Sequence, residues 1–497
     1  MPQLYFSNTT AESRKLSAQA KSGIIKRIYK GIYTDAALAD IEKVVQSKWY
    51  DIVNYLMPSA IAAFRTAHEL VPINNTVFVV DDVSKRRNVV VFSSLTIVVI
   101  PGNIQNMVEP FLPQMLRTTP TRQYLENLSE SRGKHKKSLG QIWVEQRLCI
   151  EMQRSGEMEL NKIRDGARKF HLECGGFEIE FEQLNAIISS LLSTNTSKDA
   201  LVTDIGLANA RKEPFDPHRL TLFSSLANYL NRCELKPVDY HYNKLNWMTL
   251  SFFESYFSNY IEGTEFEIEE AEKIVFQNIE VANRHADSHD VLSVYQQVSD
   301  YQEMSNSPQT PDELIQTLKD RHFAMMVERP EKRPGQFKEK ANQAGASHFV
   351  RPDEVEGTLK QAFDLYKDLP EGLARAIFMH FVVAECHPFD DGNGRLARIM
   401  MNAELHASGQ YKLIVPTVHR DSYLNGLRSA TRNGEFRTLV KVLYQLQQYT
   451  ASIDWSDYGE AKDLIEEHCA DKLPDQGIAV FNNQIRKFKF NPPLQMD

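Results

Sequence analysis

The sequence contains little cysteine and no long hydrophobic run. Five of its 497 residues are cysteine, an odd number, and no two of them form a Cys-x-x-Cys pair. This usage argues against a zinc ribbon and is typical of a reducing compartment. The most apolar stretch, residues 89–101, contains Ser93, Ser94 and Thr96 and is too short to cross a bilayer. No apolar signal core follows the first charged residues, so we expect a cytoplasmic protein without membrane contact.

The sequence also lacks a strong excess of charge of either sign. Its 57 lysine and arginine residues face 65 aspartate and glutamate residues, which leaves a net charge of -8. The chain as a whole is therefore not an obvious binder of polyanions. Hydrophobic residues make up 42% and charged residues 25%, which is ordinary for globular proteins and argues against bulk disorder. The length is typical of three or four domains.

The first 110 residues alternate between helical and strand patterns, which predicts an α+β region. A polar helix is expected at residues 10–21, and interleaved apolar and basic residues at 23–34 predict a β-hairpin around Gly31. A helix followed by a basic hairpin is the outline of a winged-helix unit. Further along we expect one alanine-rich helix and two groups of strand residues, at 59–70, 76–80 and 89–100.

Five basic residues in this helix and hairpin favour weak contact of residues 1–110 with nucleic acid. They are Lys15, Lys21, Lys26, Arg27 and Lys30. A charged, solvated face explains the same pattern equally well. The succession of helix, hairpin and strands resembles the N-terminal region of abortive-infection type IV antitoxins.

The rest of the chain is predicted to be mainly helical. Residues 111–200 form an intermediate helical domain, and a polar, proline-bearing stretch at 193–217 marks its boundary. Residues 201–450 show a run of helices, and residues 451–497 form a C-terminal tail without recognisable chemistry.

One run, residues 387–398, has the composition of a nucleotide site. Apolar residues at helical spacing precede and follow it, so we expect a loop that joins two helices. Gly392 and Gly394 allow a tight turn and the close approach of a ligand to the main chain. The second helix is expected to begin near Arg395, with its unpaired N–H groups and its positive dipole end facing the loop.

The charged side chains of this run suit a polyphosphate. Arg395 and Arg398 are three residues apart and are expected to project from one helix face towards phosphate. Asp391 is the hard oxygen ligand that Mg²⁺ prefers when it also bridges phosphates. His387 can be neutral near pH 7 and can accept a proton from an incoming hydroxyl. The simpler alternative is a glycine turn between helices, with its arginines in solvent.

The run matches the pattern His-x-Phe-x-(Asp/Glu)-Gly-Asn-Gly-Arg-x-x-Arg at every fixed position and so resembles the Fic family. The resemblance covers roughly residues 220–446 in pattern. It implies a mainly α fold, in which a helical core carries a β-hairpin flap. It also implies a protein adenylyltransferase, which transfers AMP from Mg²⁺-bound ATP to a Ser, Thr or Tyr hydroxyl of a target protein or of itself.

The resemblance also implies a role for each residue of the run. His387 is the general base, Asp391 binds Mg²⁺, the turn of Gly392, Asn393 and Gly394 cradles the phosphates, and Arg395 and Arg398 hold the β- and γ-phosphates. Relatives that act as kinases carry a lysine at the position of Gly394, which this chain does not.

A second run predicts a built-in inhibitor. Residues 258–263 match the family's inhibitory signature (Ser/Thr)-x-x-x-Glu-(Gly/Asn), and an apolar helical stripe leads into them. We therefore expect an inhibitory helix at about 246–263, with Ser258 and Glu262 four residues apart on one face. The resemblance implies that Glu262 pairs with Arg398, which would then be unable to bind the γ-phosphate.

The flap and the adenine side follow from the resemblance as well. Residues 333–352 are expected to form the flap, which would align a segment of the target by strand addition. Tyr423 falls where relatives place a tyrosine near the adenine. The residue after it is Leu424, where many relatives have a second aromatic. The resemblance therefore specifies the contacts to the phosphates but leaves the contacts to the base open.

Three alternative functions remain open from the sequence. The enzyme could use a different nucleotide or transfer a different group. It could run in reverse, with Glu262 orienting a water that removes AMP from a modified protein. Finally, the chain could be a DNA-binding regulator in which the Fic core senses a nucleotide.

Overall fold

The computed structural model describes residues 2–192, 200–345 and 347–493. These residues form two compact units, Met1–Lys212 and Glu213–Asp497. The start of the predicted boundary at 193–217, one residue of the predicted flap (346) and the end of the predicted tail (494–497) lie outside the described residues. No described helix is both long enough and apolar enough to cross a membrane.

The first unit is mixed α and β, as its sequence pattern predicts. Its strands are β1 (Leu4–Phe6), β2 (Lys26–Tyr29), β3 (Ile32–Thr34), β4 (Ile61–Ala62), β5 (Thr76–Asp81), β6 (Arg87–Val91), β7 (Leu95–Pro101), β8 (Val108–Leu112) and β9 (Met115–Thr118). Its helices are α1 (Thr10–Lys21), α2 (Ile41–Ser47), α3 (Trp49–Leu56), α4 (Arg65–Glu69), α5 (Pro120–Leu128), α6 (Gln141–Ser155), α7 (Glu157–Cys174), α8 (Glu178–Leu191) and α9 (Asp204–Ala210).

Two sheets organise this unit. The predicted hairpin is present as β2 and β3, and β1 completes a three-stranded antiparallel sheet in the order β1-β3-β2. A six-stranded sheet has the order β6-β7-β5-β4-β9-β8, with β5 and β7 parallel. Its valine-rich central strands are buried on both faces, as is usual for parallel strands. The winged-helix assignment stays a prediction.

The helix expected at residues 59–70 is largely wrong. Ala62 pairs with Val79 of β5 and with Arg117 of β9, so this part of the segment is a short central strand. Only the five residues of α4 are helical. Alanine favours helix locally, but these sheet partners are distant in sequence, and tertiary pairing overrides the local preference.

The second unit is almost entirely helical. Its helices are α10 (Pro217–Leu230), α11 (Lys244–Ile261), α12 (Ile268–Gln277), α13 (His285–Ser299), α14 (Tyr301–Met304), α15 (Pro311–Met326), α16 (Val355–Lys367), α17 (Leu373–Cys386), α18 (Asn393–Ala407), α19 (Arg420–Asn433), α20 (Arg437–Ala451), α21 (Tyr458–Glu467) and α22 (Pro474–Ile485). Its strands are β10 (Gln343–Ala344) and β11 (Ser347–His348). The predicted fold class, mainly α with an α+β N-terminal region, is confirmed.

One hydrophobic core holds the second unit together, and α11 runs through it. Phe252, Phe253 and Phe257 are fully buried on successive faces of α11, which is apolar nearly all round as expected of a central helix. Residues 451–493, predicted as part of a tail, include α21 and α22, whose Ile465 and Phe481 are buried in the same core.

Candidate functional site

A six-residue loop, 387–392, joins α17 to α18, where the sequence predicts it. His387 opens the loop in the left-handed conformation at φ +46°, a strained choice for a residue with a Cβ. Gly392 closes it at φ +74° and caps α18. A Cβ on Gly392 would lie 2.7 Å from Met325 Cε, so both backbone freedom and the absence of a side chain are required there.

Side chains from within and below the loop hold its shape. Asn393 Nδ2 donates to the Phe389 carbonyl, and Asn393 Oδ1 accepts from the Phe389 N–H, both at 2.9 Å. The Phe389 ring is fully buried and stacks on His322 at a centroid distance of 3.7 Å. The Asn393 side chain is therefore occupied in stabilising the loop, and any contact with phosphate is left to the main chain.

The hydrogen bonds of His387 define its tautomer. Its Nδ1 lies 3.2 Å from the Ala384 carbonyl, and because a carbonyl can only accept, Nδ1 carries the proton. Nε2 is then an unprotonated acceptor. The ring stacks on Phe349 at 3.8 Å, and burial lowers the pKa of His387 to about 4. A neutral imidazole with a free acceptor nitrogen has the form that a general base needs.

Two residues from the flap region brace the loop from outside. Lys338 Nζ donates to Asn342 Oδ1 at 2.6 Å and to the Cys386 carbonyl at 3.2 Å. Asn342 Nδ2 in turn donates to the Phe389 carbonyl at 3.1 Å and to the His387 carbonyl at 3.4 Å. Lys338 is almost fully buried, and burial lowers its pKa to about 8. This brace fixes the carbonyls on both sides of the strained His387.

Asp391 carries an ionised carboxylate at the edge of the loop. Its Oδ1 accepts from the Gly392 N–H at 2.7 Å, and its Oδ2 lies 3.3 Å from Lys332 Nζ. Burial alone raises the pKa of Asp391, but the Gly392 hydrogen bond and the charges of Arg395 and Lys332 outweigh it, so the pKa is lowered. The side chain is still 45% exposed and so remains accessible to a cation.

The predicted inhibitory residues lie against the second arginine of the run. Arg398 Nη2 donates to Glu262 Oε1 at 2.7 Å and to the Ser258 carbonyl at 2.8 Å, and Arg398 Nε donates to Ser258 Oγ at 2.9 Å. Arg398 is buried, whereas the Glu262 side chain is 36% exposed. Glu262 is the C-cap of α11, and Gly263 follows at φ +92°, so the carboxylate leaves the helix end directly towards the loop.

Gly394 provides the space for the Glu262 carboxylate. A Cβ on Gly394 would stand 2.2 Å from Glu262 Oε1 and 3.2 Å from Oε2. The carboxylate therefore packs against the N-terminal turn of α18, whose main-chain N–H groups form an anion site. Glu262 therefore fills the space beside the turn and binds Arg398 at the same time.

Arg395 points elsewhere. Its Nη1 lies 2.7 Å from Asp290 Oδ2 on α13, and the pair is buried. A buried carboxylate requires a counter-charge, and Arg329 supplies a second one to Asp290. Arg395 Nη1 also donates to Asn259 Oδ1 of α11 at 3.4 Å, next to the Ser258 that binds Arg398. The expectation that both arginines hold phosphates stays a prediction.

Tyr423, which the resemblance places near the adenine, lies beside the loop, and its adenine contact stays a prediction. It is fully buried on α19, and its hydroxyl lies 2.6 Å from Nε2 of the buried His380. It also lies beside Arg398. Tyr423 and Glu262 thus both interact with Arg398.

These groups surround a cleft of about 280 Å³. It is lined by Glu262, Ala344, Ser347, Phe349, Ala384, Glu385, His387, Gly394, Arg398, Tyr423, Leu424, Leu427, Arg428, Thr431 and Arg432. Five predicted site residues meet here: His387, Gly394, Arg398, Glu262 and Tyr423. Asp391, Gly392, Asn393 and Arg395 are not in this lining, and Ser258 lies behind Arg398.

A comparison with family models matches the region that contains the loop. The model of the Fic/DOC family matches residues 309–405, which include the whole loop and α18 up to Leu405. Residues 309–405 belong to the Fic/DOC family. Among curated proteins, the chain is 28% identical over 108 residues to the protein adenylyltransferase Fic of Aedes aegypti, with 22% of this chain and 21% of that protein covered.

Two further similarities concern a curated protein and a solved structure. The chain is 32% identical over 78 residues to the protein adenylyltransferase Fic of Drosophila persimilis, with 16% of this chain and 15% of that protein covered. The chain thus spans about a fifth or less of the length of these relatives. A solved structure of Fic-1 (residues 134–508) from C. elegans is 18% identical, covers 63% of this chain and 90% of its own, and has a TM-score of 0.37.

Several residues that hold the loop and its arginines were not predicted from the sequence. Lys338 and Asn342 lie in the glycine- and proline-bearing stretch that was assigned only to the flap. Asp290 and His322 sit on helices without any motif. The burial of Asp290 could not be predicted from the sequence, because its partner Arg395 lies 105 positions further along the chain.

Proposed function

We propose that this chain is a protein adenylyltransferase that transfers AMP from ATP to the hydroxyl of a target protein. The observation that carries the proposal is one cleft that contains both the acceptor nitrogen of His387 and the guanidinium of Arg398. The first suits a proton acceptor, and the second suits a phosphate. The names of the curated relatives agree with this activity.

In the proposed reaction the hydroxyl oxygen of the target forms a bond to the α-phosphorus of ATP. The bond between the α-phosphorus and the bridging oxygen breaks, and pyrophosphate leaves. His387 Nε2 accepts the hydroxyl proton. The main-chain N–H groups at the start of α18 and the guanidinium of Arg398 stabilise the charge that develops on the phosphate oxygens.

The carboxylate of Asp391 fits a divalent cation bound together with phosphates. It is ionised, partly exposed and oriented by the Gly392 N–H. In the described residues no cluster of three or more His, Cys, Asp or Glu side chains could hold a metal. A hard cation held by one carboxylate plus substrate oxygens is the usual arrangement for Mg²⁺, which would neutralise phosphate charge.

Replacing Asp391 with alanine is expected to lower AMP transfer about a hundredfold or more, because the cation loses its protein ligand. ATP binding should also lose its dependence on Mg²⁺, which calorimetric titration with and without the cation measures. Asp390→Ala is the matched control, since that neighbouring carboxylate pairs with Arg333 instead. An unchanged Mg²⁺ titration in Asp391→Ala would rule out the ligand role.

We further propose that Glu262 inhibits the enzyme. Its carboxylate holds Arg398 and packs against Gly394, where the γ-phosphate side of ATP would have to lie. ATP could then enter only in a displaced position. Release of Glu262 would restore both the arginine and the anion site at α18.

The flap is proposed to present the target segment. β10 and β11 are short antiparallel strands beside the cleft, and Ala344 and Ser347 line it. A segment added to this hairpin would bring a hydroxyl near His387 through main-chain hydrogen bonds. The same geometry allows self-modification.

Transfer of label from ATP tests the reaction type. The protein should acquire label from ATP labelled at the α-phosphate and none from ATP labelled at the γ-phosphate. Label from the γ-phosphate would instead mean phosphoryl transfer, and release of AMP from a modified protein would favour the reverse reaction.

A second, separate function is suggested by the first unit. Four of the five predicted basic residues, Lys15, Lys21, Arg27 and Lys30, are exposed on α1 and the β2–β3 hairpin, and so is Arg14. The fifth, Lys26, is half-buried and donates to the Ala36 carbonyl. No ion pair to any of them occurs among the described residues. An unneutralised basic face favours a polyanion such as nucleic acid, and a DNA-binding regulator with a nucleotide-sensing Fic core is the corresponding alternative.

Weak, salt-sensitive binding of the full chain to duplex DNA or RNA is therefore expected. Reversing the charge of Arg27 and Lys30 to glutamate should abolish it, and affinity should fall by at least tenfold between 50 and 200 mM salt, roughly as expected for a few phosphate contacts. Electrophoretic mobility shifts measure both effects. Absence of binding at low salt would leave the basic residues as a solvated face.

A further inference from the structure

The cleft continues beyond the groups that the proposed reaction uses. Tyr423, beside Arg398, marks its phosphate end, and Thr431 lies eight residues further along α19. At 1.5 Å per residue the two are separated by about 12 Å, comparable with the length of a nucleoside. Phe349, Leu424 and Leu427 supply apolar walls in between. The far end is therefore where the base of a bound nucleotide would lie.

Glu385 is a buried carboxylate in the lining of this far end. Its side chain is 4% exposed, and its Oε1 is hydrogen-bonded to the Thr431 hydroxyl. Its Oε2 lies 3.2 Å from Arg219 Nη1 without hydrogen-bond geometry, and it accepts no hydrogen bond from any described residue. Oε2 is therefore paired in charge with Arg219 but accepts no aligned hydrogen bond, and in a ligand cleft this points to a donor on the ligand.

We propose that Glu385 is the residue that selects the base, by accepting a hydrogen bond from the 6-amino group of adenine. The inference rests on the proposed nucleotide transfer and names its substrate more closely. An ionised carboxylate can only accept hydrogen bonds. It therefore favours an exocyclic amine and opposes the keto oxygen that guanine and hypoxanthine carry at the same position.

Arg219 explains how the carboxylate can serve this role while buried. Burial raises the pKa of Glu385 above its usual value, and the charge of Arg219 and the hydrogen bond from Thr431 oppose that rise. Arg219 Nη2 also donates to the His348 carbonyl of the flap at 2.5 Å. The selecting carboxylate is thus held between α10, α19 and the base of the flap.

The test compares nucleotides on one protein, so that a folding defect cannot mimic the result. The full chain carrying His387→Ala, which cannot turn ATP over, is titrated calorimetrically with Mg²⁺ and ATP, purine riboside triphosphate, ITP or GTP. Purine riboside triphosphate differs from ATP only in lacking the 6-amino group. We expect ATP to bind at least tenfold more tightly than each of the other three, as for the loss of one charge-assisted hydrogen bond.

A second variant tests whether Glu385 causes the preference for ATP. Glu385→Gln, added to His387→Ala, should bring the ratio of ATP to purine riboside triphosphate affinity close to one and should raise ITP affinity, because the amide can donate to a keto oxygen. Glu371→Gln, an exposed glutamate outside the cleft, is the matched control and should leave every ratio unchanged.

Three other outcomes would contradict either the selecting role of Glu385 or the proposed transfer of AMP. Equal binding of ATP and purine riboside triphosphate, or an unchanged ratio in Glu385→Gln, overturns the selecting role while the proposed transfer stands. Tighter binding of GTP than of ATP shows that the carboxylate reads a guanine edge and overturns the adenine assignment. Failure to bind any of the four nucleotides overturns the proposed function, and the selecting role with it.

Discussion

Replacing Glu262 with glycine is expected to raise AMP transfer about ten- to a hundredfold. The charge-assisted contact between Glu262 and Arg398 is worth about 1.5–3 kcal/mol, and removing it shifts the population towards the free arginine by that factor. The substitution also clears the carboxylate from Gly394, so the anion site at the start of α18 opens at the same time. Rates of self-modification with and without the substitution measure the gain.

Three variants distinguish inhibition by Glu262 from a general effect of altering the segment between α11 and α12. Glu262→Gln should activate less than Glu262→Gly, because the amide still fills the space beside Gly394 but loses the charge. Glu265→Gly, in the same loop, should leave the rate unchanged. Arg398→Ala should not be activated, since it loses the phosphate contact together with the inhibitor. If Glu262→Gly is no faster than the unaltered chain, then α11 is merely structural.

Replacing His387 with alanine is expected to abolish AMP transfer while ATP binding is largely retained. The imidazole acts on the hydroxyl proton in the chemical step, and its ring makes no contact that the phosphates require. Phe349 loses a stacking partner, so a small loss of stability is expected as well. Single-turnover transfer and calorimetric ATP binding, measured on the same preparation, distinguish the two effects.

The pH dependence of transfer follows from the lowered pKa of His387. The general base must be neutral, and with a pKa of about 4 it is neutral throughout pH 6–8. The value of kcat/KM should therefore stay flat across this interval, since it reports the free enzyme. An ordinary histidine would lose activity below about pH 6.5. A fall of kcat/KM centred near pH 6.5 would show that burial does not lower this pKa.

The order of elements around the catalytic loop could be predicted from the sequence because its signals are local. Apolar spacing indicated α17 and α18, glycines indicated the turn, and the inhibitory signature at 258–263 indicated the end of α11. The predicted start of α18 near Arg395 differs from the observed Asn393 by two residues. Strand β4 could not be predicted in the same way, because its partners lie in distant parts of the chain.

The directions of the side chains within the site were harder to predict than the helices that carry them. The three-residue spacing of Arg395 and Arg398 correctly places both on α18, but the spacing says nothing about which neighbours attract each guanidinium. Asp290 attracts one and Glu262 the other. Tyr423 likewise turns inwards because His380 offers its hydroxyl a buried partner.

The most direct test of AMP transfer under control of Glu262 is intact-protein mass spectrometry of the Glu262→Gly chain with Mg²⁺ and ATP. The account predicts that the mass of the Glu262→Gly chain increases by one or more AMP groups. The increase should be much smaller in the unaltered chain and absent when Glu262→Gly is combined with His387→Ala. An unchanged mass in Glu262→Gly, or an equal increase when His387 is also replaced, would contradict it.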